Sequence, residues 1–392
     1  MPADESPPFP RIAECRCGAQ LCSSQYSPFP VFYWDGLTWV IDVYVPDLPL
    51  ILATHAHLDH IPINNRVSAE SMPRGSSINS PVWATRLTRA LFAARGASLP
   101  PGPDLIFGND GISSLPQAPA MQLTGIESGH MEGAASLFVQ KVEGGTSLFY
   151  AGEFYPVPRG IFPGLAPMPA TTLVIESTYG HPDWDHPPPG IAERQLRDAV
   201  VDFASRGPVI IAGYAGGKMT RVIEVLADLN LPFIVPPEFA REWAVLQDFD
   251  EWRTLTRRDP PLAIYTRSQL RGIKGNDVRC KAVYLTPPSG LTSAKSQEGL
   301  VDAPTILCGG RVLDPAYRSE HPASAYVPLR DHPTFAELLA FVKGCRPEDV
   351  WVLPGEDKAL CWAIRHELGI TCNPLVMPHA SGLPNLPQFY LE

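Results

Sequence analysis

Hydrophobic positions divide this chain into two kinds of text. From Val31 to Ala53 short apolar runs, VFYWDG, TWVIDVYV and LPLILA, are broken by Gly and Pro, which predicts strands. Ser80 to Ala97 then carries apolar residues at helical spacing, and Met121 through Phe149 returns to strands. At Thr172 another apolar strand begins, LVI. From Pro182 to about Ala316 strands and helices alternate, the signature of an inserted α/β unit with a boundary near each end. Within it a buried strand, Pro208 to Ala212, passes through Gly213-Tyr214-Ala215-Gly216-Gly217-Lys218 into a helix, Met219 to Leu229.

Length and composition narrow the class. At 392 residues with 45% hydrophobic content, the chain has enough core for two domains. A net charge of -10 supplies no global positive field, so a polyanionic partner needs a local basic patch. The one pronounced basic stretch holds Arg253, Arg257, Arg258, Arg267, Arg271, Lys274, Arg279 and Lys281, with Trp252 and Tyr265 interleaved; it reads equally as a solvated face or as a phosphate-binding surface. No run is long enough to span a bilayer. The acidic, proline-rich start is unlike a signal peptide, so the expected location is intracellular: nucleus in a eukaryote, cytoplasm in a prokaryote. Of the 8 cysteines only Cys15, Cys17 and Cys22 cluster, at a spacing that matches no standard metal knuckle, and free buried thiols are expected.

The chemistry concentrates in Thr54-His55-Ala56-His57-Leu58-Asp59-His60, three imidazoles and a carboxylate within six residues after an apolar strand. Neutral imidazoles and carboxylates suit zinc, and the spacing serves two adjacent ions, His55 and His57 facing one, Asp59 and His60 the other. A solvated His-rich loop is the plain alternative. Further donors emerge where ligands are expected: His130 in GHMEGA, Glu153 after the strand LFYAG, and Glu176 after LVI. Glu176 either orients a histidine, moves a proton, or caps its loop. The Gly-rich turn before Lys218, with Gly217 and Arg221, either seats a phosphate at a helix N-terminus or is structural.

Taken in order, HAHLDH, GHMEGAAS, LFYAGEF, VIESTYG and GYAGGKMTRVIEVL resemble the metallo-β-lactamase superfamily, specifically its β-CASP nuclease branch, over most of the chain. The segment RDHPTFAELL, with His332 in the motif histidine position, and the strand VWVLPGE complete the likeness. The resemblance implies an αββα sandwich with an inserted α/β β-CASP cap: residues 1–181, the cap 182–316, and a completing segment 317–392. It implies metal ligands His55, His57, Asp59, His60, His130 and Glu153 for one or two Zn2+ ions, Mn2+ or Mg2+ being alternatives. Asp59, Glu176 and His332 take the catalytic positions, with His332 protonating the leaving oxygen, and Lys218, Gly217 and Arg221 meet a substrate phosphate. The implied activity is metal-dependent phosphodiester hydrolysis. The text around His332 and the Gly-Lys turn are closer to DNA-acting members, crosslink-repair, Artemis-like and ligase-associated exonucleases. The expectation is therefore a 5′ exonuclease in DNA repair, with nucleic acid (DNA over RNA) and repair-complex proteins as partners and no membrane. An RNA-processing nuclease and a catalytically quiet nucleic-acid-binding scaffold are the alternatives. Three positions depart from the branch: Glu153 replaces an aspartate, Pro354 stands where RNA-processing members carry a histidine, and Thr334 replaces an aspartate.

Overall fold

A computed structural model describes residues 13–24, 27–34, 37–42, 50–57, 60, 81–108, 113–115, 118–214, 216–272 and 281–375. The first sheet runs in chain order through β1 (Ala13–Glu14), β2 (Gln20–Ser24), β3 (Ser27–Trp34), β4 (Leu37–Ile41), β5 (Leu50–Leu52) and β6 (Val82–Trp83). Its pairing is antiparallel as far as β4 and parallel from β4 through β6. Alternation assigns its two faces. Phe32, Trp39, Leu50 and Leu52 point one way, while Val31, Val40 and Ile51 point the other, onto Leu87, Leu91 and Phe92 of the helix Arg86–Ala94. Thr85 caps that helix by accepting from the backbone N–H of Thr88 at 3.0 Å.

The second sheet starts with β7 (Ser113–Leu115), β8 (Ala118–Glu127), β9 (Ala135–Lys141), β10 (Ser147–Gly152) and β11 (Thr172–Ile175). The chain then builds a third, wholly parallel sheet from β12 (Val209–Ala212), β13 (Phe233–Val235), β14 (Ile264–Thr266), β15 (Val283–Thr286), β16 (Thr305–Cys308) and β17 (Ala325–Val327), in the order β14-β13-β15-β12-β16-β17. Finally β18 (Asp349–Val352) and β19 (Thr371–Pro374) return beside β11, giving the order β19-β18-β11-β10-β9-β8-β7. Residue 316, the expected boundary, falls between β16 and β17, and β17 pairs with the third sheet.

Sheets one and two face each other across a core in which Phe32, Trp39, Leu50 and Leu52 meet Leu137, Leu148, Tyr150, Val174 and Trp351; Phe32 and Trp39 stack at 4.2 Å. The far face of the second sheet, Phe149, Leu173, Ile175, Val350 and Val352, is covered by the helices Phe335–Cys345 and Asp357–Glu367 through Leu338, Phe341, Leu360 and Ile364. These layers are helix, sheet, sheet, helix. In the third sheet, Val209 and Ile211 join Leu196, Val222 and Phe239 on one face, while Ile210, Ile234 and Tyr284 pack with Leu270 on the other. Both faces are covered, so its strands read as unbroken apolar runs rather than alternating ones. Each such side chain, fully buried, contributes about 1.5–3 kcal/mol.

Two local details place the site. Parallel register sets Gly152 of β10 beside Ile175 of β11, after an irregularity at Tyr150, so Glu153 and Glu176 leave adjacent strands together. Thr334, where the resemblance expects an aspartate, caps the helix Phe335–Cys345 in a reciprocal capping box with Glu337. Among the described residues, no helix is long and apolar enough to cross a membrane.

Candidate metal centre and its surroundings

The strand β5 delivers Thr54 to His57 into the space above the sheet ends. Thr54 is tied to Asp42, its N–H donating to Oδ1 at 2.7 Å and its hydroxyl to Oδ2 at 2.5 Å. That hydroxyl lies 2.9 Å from Nδ1 of His55. Because the hydroxyl hydrogen is committed to Asp42, Nδ1–H of His55 is the donor and its Nε2 lone pair turns away from Thr54. His130 is fixed likewise: Nδ1 lies 3.1 Å from the Asp331 carbonyl oxygen, which only accepts, leaving a lone pair on Nε2. His57 brings Nδ1 to 3.0 Å from Nε2 of His55 and 3.4 Å from Nε2 of His130.

Glu153 reaches into this group. Its Oε2 is 3.4 Å from Nε2 of His55 and 3.0 Å from Nε2 of His130, while Oε1 is 3.1 Å from Nε2 of His60. A carboxylate oxygen facing two imidazole lone pairs is a set of electron-pair donors, and a cation among them satisfies all three. Donor atoms of His55, His57, His130 and Glu153 lie within 4.8 Å of one another, as do those of Asp42, His55 and His60, and each group could hold a metal ion. Burial first, then the neighbouring imidazoles, holds His55 and His57 well below the ordinary histidine range, so they present neutral nitrogens. Burial also opposes charge on His60, but Glu153 and Asp42 on either side outweigh it and hold that imidazole well above its ordinary range. For Glu153 burial is outweighed by charged His60, which keeps the carboxyl well below the carboxylate range.

A second pair stands beside the cluster. Glu176 accepts from Nδ1 of His332 at 2.8 Å and, through its other oxygen, from the N–H of Phe154 at 3.1 Å. The His332 ring lies 4.7 Å from that of His130 and 5.9 Å from Tyr179. Burial works against its charge, yet Glu176 foremost carries His332 up to about 9. Next to it, Asp331 accepts from Nζ of Lys218 at 3.1 Å; burial would raise its carboxyl, but Lys218 and His332 hold it well below the usual range.

The Gly-rich turn lies against these histidines. A Cβ on Gly216, whose φ is +79°, would meet Nη2 of Arg95 at 2.5 Å and Nε2 of His57 at 3.4 Å. One on Gly217 would meet Cβ of Met131 at 2.8 Å. The two glycines thus allow the third-sheet unit to close onto the histidine loop. Arg95 joins the same parts: Nε and Nη2 donate to Glu242 at 2.8 and 3.0 Å, and Nη1 donates to the Ala56 carbonyl between His55 and His57. Arg221, a candidate phosphate contact, is engaged by Glu193 and Glu224.

The fold therefore gathers His55, His57, His60, His130 and Glu153 into one cluster, with Glu176 and His332 adjoining it and Lys218 linked through Asp331. Asp59 lies outside the described residues, as do Lys274 and Arg279 of the basic stretch. Trp252 of that stretch is buried, its ring 5.2 Å from Phe162, and belongs to the core. Sequence reading missed Asp42 and Asp331. Asp42 carried the signal used for Glu153 and Glu176, an acid ending an apolar strand; Arg95 carried none.

No family model matches the chain. It is similar to the "Probable DNA ligase" of Opitutus terrae, 25% identical over 362 residues that cover 87% of this chain and 32% of that protein. It is also similar to the transcription termination factor FttA of Methanocaldococcus jannaschii, 28% identical over 208 residues (47% of this chain, 31% of that protein). The FttA of Pyrococcus abyssi is 27% identical over 227 residues (52% and 34%). This chain thus spans about a third of the length of these curated relatives, one bearing the name of a DNA ligase and two that of a transcription termination factor.

Proposed function

We propose that the chain is a metal-dependent nuclease of the β-CASP metallo-β-lactamase kind, hydrolysing phosphodiester bonds in DNA as a 5′ exonuclease of repair. The observation that carries the reading is the donor cluster of His55, His57, His60, His130 and Glu153 with the Glu176–His332 pair against it. The helix-sheet-sheet-helix layering and the parallel third sheet support the division into a sandwich, 1–181 and 317–392, and a cap, 182–316; pairing of β17 with β16 favours moving the return to the sandwich past β17.

His55, His57, His60, His130 and Glu153 would hold the divalent ions, zinc by the chemistry of the donors, which would supply Lewis acidity toward a phosphoryl oxygen and its attacking water. The residues do the rest. Glu153, although one methylene longer than aspartate, brings Oε2 to His55 and His130 and Oε1 to His60. Glu176 fixes the Nδ1 side of His332, which leaves the other ring nitrogen to give a proton to the departing oxygen. Lys218, held by Asp331 beside His332, offers a positive charge for a substrate phosphate.

Alignment over 87% of the chain with a protein named as a DNA ligase supports DNA as substrate. The FttA alignments support a second reading, cleavage of RNA in transcription. Incubating zinc- or manganese-supplied protein with matched 5′-phosphorylated single-stranded DNA and RNA separates them. The proposal expects DNA shortened from the 5′ end, abolished by chelation and by His57→Ala. Preferred cleavage of RNA selects the second reading, and binding without cleavage of either selects a quiet scaffold.

A further inference from the structure

Three consecutive carbonyls in the segment that carries His332 are engaged by side chains. The Arg330 oxygen accepts from Nη1 of Arg159 at 3.2 Å, the Asp331 oxygen lies 3.1 Å from Nδ1 of His130, and the His332 oxygen accepts from Nη1 of Arg330 at 2.8 Å. Residues 328–334 form neither helix nor strand, so these bonds rather than a backbone ladder fix the height of His332. The loop that carries His130, residues 128–134, is irregular too. There the carbonyls of Gly129 and His130 both accept from Nη2 of Arg159, at 3.1 and 2.8 Å. One guanidinium thus joins the two loops that supply His130 and His332.

Arg159 is itself held firmly. Its backbone is bridged to Phe162 by a reciprocal pair of hydrogen bonds, each 3.0 Å. Its guanidinium carbon lies 4.3 Å over the Tyr155 ring and 4.9 Å over the Phe162 ring, and that of Arg330 lies 4.9 Å over Tyr155. The N–H of Tyr155 donates to the Ser128 carbonyl at 2.9 Å, which ties this stack to the His130 loop. Arg330 gives its second nitrogen to Glu337 at 2.8 Å. Arg159 is 5% exposed, and its hydrogen bonds run to carbonyls. An apolar side chain of similar length would fill this space without the desolvation cost of a buried cation. What a guanidinium adds is a rigid fork that takes several carbonyls at once.

We propose that Arg159 is a positioning residue of the metal centre, which sets the His332 segment against the His130 loop, with Tyr155 and Arg330 bracing it. The inference rests on the nuclease reading of that site. The separation it maintains is that of the His130 and His332 rings, 4.7 Å between centroids. Proton transfer from His332 needs hydrogen-bond reach to the departing oxygen, so a small slip between the loops lowers turnover without removing any group that meets the substrate.

The test measures zinc affinity by calorimetry and, at saturating zinc, kcat and KM on 5′-phosphorylated single-stranded DNA. Wild type, Arg159→Met and Arg159→Lys are compared, each shown folded by circular dichroism. For Arg159→Met zinc should bind roughly tenfold more weakly, the order seen when a support of metal ligands is lost. Its kcat should fall roughly ten- to a hundredfold, with KM within about twofold of wild type. Arg159→Lys, which keeps the charge but not the fork, should fall between. Folded variants with wild-type zinc affinity and kcat, whatever their loss of stability, overturn the proposal; so does a rise in KM alone, which would mean that the guanidinium meets substrate. Should Arg159→Met fail to fold, Arg159→Lys decides by the same criteria. A wild type that binds zinc but cleaves no nucleic acid defeats the nuclease reading, and the zinc ratio then decides the positioning role. A wild type that neither binds zinc nor cleaves overturns both.

Discussion

Arg95 and Glu242 offer the sharpest test of how the third-sheet unit and the histidine loop are joined. The guanidinium is 7% exposed and the carboxylate 4%, and they meet through two hydrogen bonds of 2.8 and 3.0 Å. Arg95 also donates to the Ala56 carbonyl, which is buried between two of the metal-ligand candidates. Removing one partner of such a pair strands the other charge, at a cost of about 3–5 kcal/mol. Arg95→Met additionally orphans the Ala56 oxygen, adding about 1–3 kcal/mol. Replacing both, Arg95→Met with Glu242→Leu, removes the stranded charge and should recover most of the first term but not the second. Urea unfolding of the two single variants and the double variant gives the coupling energy. Zinc titration of the folded Arg95→Met protein reads the effect on the histidine loop, with expected weakening of about tenfold or more, in the range for a residue that orients metal ligands. Single variants each costing under about 1 kcal/mol, with unchanged zinc affinity, would refute the clamp, since that is the behaviour of an exposed ion pair.

Other expectations are more local. Glu153→Asp should retain metal and raise cleavage if the longer side chain limits the reaction; the ratio of rates at saturating metal reads this, and no change makes the substitution neutral. Thr334→Ala should lower stability by about 1 kcal/mol by removing one half of the capping box, and Thr334→Asp, which restores an N-cap acceptor, should not. Glu127 is raised to about 7 by burial and then by Glu251. A carboxyl whose folded value lies above its unfolded one loses stability as pH rises from about 4.5 through 7, and the penalty persists above that. Glu127→Gln should therefore stabilise the protein at pH 8 by on the order of 1–3 kcal/mol and change little at pH 4, as denaturant midpoints at the two values would show.

Much of the sandwich was legible because its strands announce themselves. TWVIDV and LFYAG alternate or run apolar between Gly and Pro, and the donor residues follow directly at strand ends, where a period of two gives way to a loop. The cluster was legible for the same reason: HxHxDH, His130 and Glu153 are donor types at strand exits. Less visible was anything fixed by long-range contact. Asp42 orders Thr54 and, through it, the proton of His55, a role that needs the pairing of β4 with β5. Asp331 was overshadowed by His332, although its carbonyl sets His130 and its carboxylate holds Lys218. Gly216 and Gly217 read equally as a phosphate seat or a structural turn; the close approach to Arg95, His57 and Met131 that they allow needs long-range contacts the sequence does not display. Trp252 looked like an aromatic interleaved with surface charge but lies in the core, because the surrounding 3-10 turn and short helix bring it against Phe162.

The central claim is that the buried cluster is a metal centre. Calorimetric titration of zinc into chelator-stripped wild-type and His130→Ala protein, each shown folded by circular dichroism, tests it most directly. One or two ions bound per chain in the wild type, with binding lost or weakened by orders of magnitude in the variant, is the predicted result. No binding to the folded wild type, or equal binding to both proteins, would contradict it.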